Sequence, residues 1–255
     1  MTGVAPEHII KLLKQGTVAT VELVTSKATY VELCGRRVQL CSREFGIIPN
    51  GISVDSLPKL SVGQTLSCGD IQVTAAKQDP DVCSADYTAA LNCLKADPGT
   101  GFGLLVTDRE LPPECQIAQP LLKGLYAGIL KVDTVAMEPN ILGLLGLGKG
   151  LTPSGDDVLA GLIYGLRHSP LREERETVFL LETAQNYATE RTNAVSADYL
   201  RAMTADAPFE RLKNGFDCPK KLMEIGSNSG RELLLGRILA AHIVTVKGSE
   251  NGVYT

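Results

Sequence analysis

The sequence predicts an α+β protein, with a small antiparallel β-rich N-terminal domain at residues 1–80 and a mainly α-helical domain at residues 81–255. Two observations support this prediction. Between residues 17 and 76, short segments rich in β-branched residues are separated by turn residues at close spacing, which is typical of antiparallel strands. From residue 85 onwards, apolar residues recur mainly at helical spacing, and strand alternation is absent.

The predicted N-terminal domain begins with a short amphipathic helix from Ile9 to Lys14, closed by Gly16. Strand-like segments then lie at 17–24, 29–34, 37–41, 47–48, 51–54, 64–66 and 70–74. A polar connector at 77–81 follows the last of them. This spacing favours a small sheet or barrel.

In the second half, helices are predicted at 117–136, 153–168, 171–190, 194–204, 208–214 and 229–245. Glycines recur inside these helices, at positions 124, 128, 161, 165 and 236. Each glycine costs about 1 kcal/mol relative to alanine in a helix interior. We therefore expect close helix–helix or helix–ligand approach at these positions.

Composition excludes several classes of protein. The net charge of −4 and the absence of tryptophan argue against a nucleic-acid partner. The N-terminus has no signal-peptide pattern, and no apolar run approaches the roughly 18 residues of a membrane helix, so a cytoplasmic location is expected. The seven cysteines form no C-x-x-C pair and are expected to be reduced thiols. The three histidines are far apart, which disfavours zinc.

Residues 143–157 form the most unusual stretch of the chain, because they combine a glycine-rich segment with Thr-Pro-Ser-Gly-Asp-Asp. A P-loop is rejected, since position 150 is glycine where serine or threonine should hold magnesium. A dinucleotide fingerprint is also rejected, because Leu151 occupies the third glycine position.

The same stretch predicts a helix start that binds an anion. Either Thr152 caps a helix whose first residue is Pro153, or Ser154 is the cap with Asp157 three residues later. Both registers leave N–H groups and a partial positive charge for a phosphate or carboxylate. The candidate anion-binding residues here are Gly148, Lys149, Gly150, Thr152, Ser154 and Gly155. A well-capped helix start with no ligand is the alternative.

A second segment repeats this pattern. Residues 154–163 and 229–238 share S-G-x-[DE]-x-L-x-G-x-I without gaps. The preceding loop is also small and polar, and it adds the candidate binding residues Ser227, Asn228, Ser229 and Gly230. We expect both helix starts to face one pocket, with glycines at the helix crossing; a chance recurrence of capping boxes is the alternative.

Three charged residues at these helix starts are the catalytic candidates, namely Asp156, Asp157 and Arg231. Arg231 opposes the helix dipole, which indicates that it binds an anion or forms an ion pair with Asp156. One of the two aspartates is free to accept from a substrate NH₂ group or to bind a metal. In a third polar segment, Asn193 or Thr192 either caps the helix that starts near Ala194 or contacts the same pocket, and Ser196 is a further candidate binding residue.

The segment at 146–161, Gly-Leu-Gly-Lys-Gly-Leu-Thr-Pro-Ser-Gly-Asp-Asp-Val-Leu-Ala-Gly, resembles the signature of the AllH-type oxamate carbamoyltransferase subunit family. The segments at 192–200 and 226–230 resemble later motifs of that family. Lys149 stands where the family motif often has proline, so its role is not carried over.

The resemblance implies carbamoyl transfer between oxamate, oxalurate, phosphate and carbamoyl phosphate in allantoin breakdown. It also implies partner subunits resembling FdrA-type and AllG-type proteins. No cofactor is implied, and Mg²⁺ remains an open alternative. Two functions follow as expectations: a catalytic carbamoyltransferase subunit, or a non-catalytic anion-binding or scaffolding subunit of a metabolic complex.

Overall fold

The computed structural model describes residues 1–76, 86–205 and 207–250. It divides into two compact units, 1–80 with 207–211, and 81–206 with 212–255. The connector predicted at 77–81 falls outside the described residues, as does Cys83. The α+β class is confirmed, while the assignment of two independent domains stays a prediction. In the described part of the chain, no helix is both long and apolar enough to cross a membrane.

The first unit is built on a sheet with strand order β6-β2-β3-β4-β5-β1-β7. Its strands are β1 Thr2–Ala5, β2 Val18–Val24, β3 Ala28–Leu33, β4 Arg36–Ser42, β5 Gly51–Val54, β6 Thr65–Ser67 and β7 Gln72–Ala75. The sheet is mixed rather than wholly antiparallel, because β4 pairs in parallel with β5 and β1 pairs in parallel with β7.

Helix α1 (Glu7–Gln15) matches the predicted N-terminal helix, and Gly16 ends it. Its apolar residues Ile9 and Leu13 join a core formed by the inward side chains of the strands. Strand β1 was not predicted, since its four residues carry no alternation of their own. It exists because it lies between β5 and β7 in the sheet.

The second unit holds the remaining helices, except that Glu210 and Arg211 of α8 are assigned to the first unit. They are α2 Thr88–Ala96, α3 Pro113–Lys131, α4 Thr134–Leu144, α5 Ser154–Arg167, α6 Arg175–Arg191, α7 Ala194–Thr204, α8 Glu210–Lys213, α9 Pro219–Met223 and α10 Ser229–Glu250. The predicted helix at 117–136 is in fact two helices, because Val132 adopts a left-handed conformation and Asp133 caps α4.

Helix α5 is the centre of the second unit, and every residue from Ser154 to Leu166 is buried. It packs most extensively against α10. These are the two helices whose starts repeat one sequence pattern, so the repeat lies at the core of the unit.

Candidate functional site

Helix α5 begins at Ser154, and Pro153 occupies the cap position without a side-chain cap hydrogen bond. Both predicted cap registers are therefore wrong. The hydroxyl groups of Thr152 and Ser154 bond to carboxyl groups rather than to the first-turn amides. These hydroxyl–carboxyl bonds take the place of a cap and hold the helix start to its neighbours.

The two serine–glycine helix starts lie side by side and exchange hydrogen bonds. The Ser154 side chain bonds to Glu232 of α10, and the Ser229 side chain bonds to Asp157 of α5. Each acid lies three residues after the serine of its own helix. The serine–acid pairing that a capping box makes within one helix is therefore made reciprocally between two.

Below the helix starts, α5 and α10 cross at two glycines. A Cβ added at Gly161 would lie 2.1 Å from the carbonyl oxygen of Leu233, and one added at Gly236 would lie 2.1 Å from that of Val158. Gly161 and Gly236 occupy equivalent positions of the repeat, as do Val158 and Leu233. The close helix approach predicted from the recurring glycines is confirmed here.

The glycine after each serine is also closely packed. A Cβ at Gly155 would lie 2.0 Å from the Leu144 carbonyl oxygen, and one at Gly230 would lie 1.9 Å from that of Leu222. The Gly155 N–H donates to the Leu147 carbonyl at 2.8 Å, and the Gly230 N–H to that of Ile225 at 3.0 Å.

The next amides are engaged as well. The N–H groups of Asp156 and Asp157 donate to the Pro153 carbonyl at 3.0 and 3.1 Å. In α10, the N–H groups of Arg231 and Glu232 donate to the Asn228 carbonyl at 2.8 and 3.1 Å. An anion at either helix start would have to compete with these bonds within the chain.

Asp156 is fully buried and lies within a set of hydrogen-bond donors. Its Oδ1 accepts from the Gly146 N–H at 2.8 Å, and its Oδ2 accepts from the hydroxyls of Ser196, at 2.7 Å, and Thr192. Burial raises the pKa of Asp156, and these three hydrogen bonds oppose the rise. Asp156 thus holds together the glycine-rich loop, α5 and the start of α7.

Gly146 must be glycine in this arrangement. Its φ is +76°, and a Cβ there would lie 2.2 Å from the Arg191 carbonyl oxygen. The loop can therefore present its N–H to Asp156 only with no side chain at this position.

Asp157 and Glu232 are both buried carboxyl groups, with 1% exposure each. The Thr152 hydroxyl donates to Asp157 Oδ2 at 3.0 Å and lies 3.0 Å from the Ser229 hydroxyl. Burial and the charge of Glu232 raise the pKa of Asp157 well above its usual value, and its hydroxyl partners oppose this. Burial likewise raises the pKa of Glu232. The pair therefore retains a proton at a pH where isolated carboxyl groups have lost theirs.

Arg231 does not pair with Asp156. Its Nη2 forms an ion pair with Asp97, and its Nη1 donates to the carbonyl groups of Met223 and Ser227 at 3.1 and 3.0 Å. The Asp156–Arg231 ion pair that we expected as one alternative is therefore not observed. The reason is that the segment ending α2 supplies a closer carboxylate.

The other predicted residues have separate surroundings. Asn193 caps α7 by accepting from the Ser196 N–H at 3.0 Å, which is the structural alternative left open for it. Lys149 is 90% exposed and lies 3.2 Å from the Glu114 carboxylate. Gly148 and Gly150 have φ values of +114° and +109°, and Gly148 packs closely against Ser154.

The repeated motif predicts Glu232 only as the capping-box acid of its own helix, and that pairing is not the one observed. Residues 97–103, with three glycines and a proline, carry no motif that predicts a contact with this acid. In the structure, the Phe102 N–H donates to Glu232 Oε1 at 3.1 Å. No sequence pattern links two segments 130 residues apart, so this contact could be identified only from the three-dimensional structure.

No group of three or more histidine, cysteine, aspartate or glutamate residues in the described ranges has an arrangement that could hold a metal ion. The buried acids at the helix starts instead face hydroxyl and N–H donors. This donor set fits carboxyl groups that accept hydrogen bonds.

Asp156→Ala is expected to lower the free energy of unfolding by about 3 kcal/mol, because it leaves a buried N–H and two hydroxyl groups without their acceptor. Denaturation in urea measures the change. Asp133→Ala is the matched control, since it removes a single capping bond to the Ala136 N–H and should cost about 1 kcal/mol. Equal losses in the two variants would contradict the anchoring role of Asp156.

Residues 144–241 match the model of a family described as oxamate carbamoyltransferase subunit AllH. The matched region contains α5, α7 and the first part of α10, and therefore both repeated helix starts. The predicted resemblance is confirmed over these residues. No curated protein and no solved structure matches the chain.

Proposed function

We propose, from the family match over residues 144–241, that this chain is a subunit of an oxamate carbamoyltransferase. We further propose that Thr152 and Ser229, backed by Asp157, bind the amide end of its substrate. The observation that carries this second step is the pair of hydroxyls 3.0 Å apart above a buried carboxyl pair.

The hydroxyl pair suits an amide because a hydroxyl oxygen can accept a hydrogen bond while its own proton is donated elsewhere. Thr152 and Ser229 both bond to Asp157, so their oxygens keep lone pairs to accept from another donor. Both residues are only half-buried, so part of each is exposed to solvent. A carbamoyl or oxamate NH₂ group supplies two N–H donors of the required kind.

The buried acids argue against placing the anionic end of the substrate at the same spot. Asp156, Asp157 and Glu232 all lie at these helix starts, and an anion placed beside them would make the ionisation of any of the three still less favourable. We assign the carboxylate or phosphate end to the loop tip at Gly148, Lys149 and Gly150. A Cβ at Gly150 would meet only the Thr152 carbonyl oxygen at 3.8 Å, so space remains there.

In the proposed reaction, a carbamoyl group passes between oxalurate and phosphate, giving oxamate and carbamoyl phosphate. This chain contributes orientation of the amide group and no covalent nucleophile. The remaining groups would come from partner subunits resembling FdrA-type and AllG-type proteins. Asp156, Ser196 and Asn193 support the loop and helices that present Thr152.

Oxamate and pyruvate test the amide site directly, because they have the same charge and differ by an NH₂ group in place of a methyl group. We expect the chain to bind oxamate about tenfold more tightly, since each hydrogen bond contributes about 1 kcal/mol. Thr152→Val and Ser229→Ala should each remove most of this preference and leave pyruvate binding unchanged. Isothermal titration calorimetry measures all of these affinities.

Thr107→Val is the matched control, because it removes a hydroxyl of similar burial that donates to the Leu104 carbonyl and accepts from the Arg109 N–H. It should leave the oxamate preference intact. Equal affinity for oxamate and pyruvate in the unmodified chain would overturn the proposed amide site.

A non-catalytic ligand-binding subunit is the second candidate. A non-catalytic role is favoured by the N–H groups of residues 155–157 and 230–232, which all donate to carbonyl groups within the chain. A catalytic site of this kind would direct such N–H groups at the oxyanion that develops during the reaction. The assembled complex discriminates between the two candidates. A complex carrying Thr152→Val that still makes carbamoyl phosphate from oxalurate and phosphate at the full rate would identify a sensing or scaffolding subunit.

A further inference from the structure

The two copies of the repeated helix start have different surroundings. At the α10 copy, the polar residues bond to residues 97–102, here called the covering segment. Asn228 accepts from the Thr100 N–H and donates to the Thr100 hydroxyl, both at 3.1 Å. Glu232 accepts from the Phe102 N–H at 3.1 Å, and Arg231 Nε donates to the Asp97 carbonyl at 3.0 Å.

The covering segment fits against α10 with no room for further atoms. A Cβ at Gly99 would lie 2.5 Å from Asn228 Oδ1, and one at Gly101 would lie 2.1 Å from Glu232 Oε1. On the other side of the segment, the buried Cys115 thiol contacts the Gly101 carbonyl oxygen at 3.4 Å. A side chain at either position would displace Asn228 or Glu232 from its present contact, and the φ of +67° at Gly99 itself favours glycine.

At the α5 copy, the acid that corresponds to Glu232 is Asp157, and it is equally buried, with 1% exposure. Asp157 bonds to the hydroxyls of Thr152 and Ser229, and both of these residues are half-buried. The two acids are therefore alike in burial and differ in what they bond to: half-buried hydroxyls for Asp157, and the backbone of the covering segment for Glu232.

We infer that the two acids of the repeat have divided their tasks, an inference that rests on the proposed function. Asp157 backs the Thr152 and Ser229 hydroxyls that contact the ligand. Glu232 is a positioning residue that supports this site without contacting the ligand. It holds the covering segment through Phe102, and through its bond to Ser154 it fixes the start of α5.

Three variants of the full chain test this division of tasks. In Glu232→Ala, we expect the Phe102 amide to exchange hydrogen about tenfold faster, and oxamate to bind about tenfold more weakly, because both contacts are lost. Glu232→Gln should stay within about threefold of the unmodified chain in both measurements, since an amide can still accept from Phe102 and bond to Ser154. Ser229→Ala should weaken oxamate binding without accelerating exchange at Phe102.

Unchanged exchange at Phe102 in Glu232→Ala would overturn the positioning role. Faster exchange with unchanged oxamate affinity would overturn the link to the ligand site. If Glu232→Ala does not fold, Asn228→Ala removes both bonds to Thr100 and should accelerate exchange at the Thr100 amide while weakening oxamate binding. Failure of the unmodified chain to prefer oxamate over pyruvate would count against the proposed function, and exchange at Phe102 would then decide the support role separately.

Discussion

Gly161→Ala and Gly236→Ala are each expected to lower the free energy of unfolding by about 3 kcal/mol, at the upper end of the usual range for overpacking. Each new Cβ would lie 2.1 Å from a backbone carbonyl oxygen of the facing helix. A flexible side chain could move away, but a carbonyl oxygen within a helix is held by its own hydrogen bond. Helices α5 and α10 would have to separate, and the loss of packing would extend along their crossing.

Gly143→Ala is the matched control for this prediction. Gly143 also lies in a helix, α4, and a Cβ there would meet the Leu121 Cδ2 atom at 2.9 Å. That atom ends a flexible side chain, and alanine improves helix propensity by about 1 kcal/mol, so little net change is expected. Urea denaturation of all three variants measures the differences. Equal stability of Gly143→Ala and Gly161→Ala would show that the helices do not cross as closely as described.

Because both glycines lie at one crossing, their effects should not add. Once Gly161→Ala has separated the helices, the carbonyl oxygen that Gly236→Ala would approach is already farther away. The double variant should therefore lose less stability than the sum of the single losses. Strict additivity would indicate two independent packing sites.

The crossing could be anticipated from the sequence, whereas the sheet could be anticipated only in part. Gly161 and Gly236 stand at the same place in a repeated pattern, and the repeat by itself identifies two equivalent helix positions. Strand β1 and the parallel pairs in the sheet depend on partners distant in the chain. Local alternation carries information about strand existence and very little about pairing direction.

The site was predictable as a set of residues and less so as a set of contacts. The pattern correctly brought Ser154 and Ser229 together, but it assigned each acid to its own helix. Whether a serine bonds to the acid of its own helix or to that of a neighbour depends on how closely the helices approach, and that distance is a tertiary property. Arg231 illustrates the same point, because its partner Asp97 lies 134 residues away and no local rule selects it.

Asp157→Asn is expected to reduce the loss of unfolding free energy that the unmodified chain undergoes between acidic and neutral pH. The pKa of Asp157 is raised in the folded chain, so its contribution to stability is complete below the unfolded pKa of about 4. That contribution is lost as the pH rises through the folded pKa, because ionising a buried acid beside Glu232 is unfavourable. Asparagine removes the ionisation, keeps an acceptor for the Thr152 hydroxyl, and should flatten the profile of unfolding free energy against pH above about 4.

Asp55→Asn provides a control of opposite sign. Hydrogen bonds from Thr2 and Arg43 lower the pKa of this exposed carboxyl, so its contribution is present above the unfolded pKa and disappears as the pH falls. Urea denaturation between about pH 4 and pH 8 measures both variants, a range that spans the usual carboxyl pKa and neutrality. A profile of Asp157→Asn as steep as that of the unmodified chain would show that Asp157 ionises normally. The Thr152 and Ser229 hydroxyls would then face a full negative charge on Asp157 at neutral pH, which would favour a cation at this position over a neutral amide.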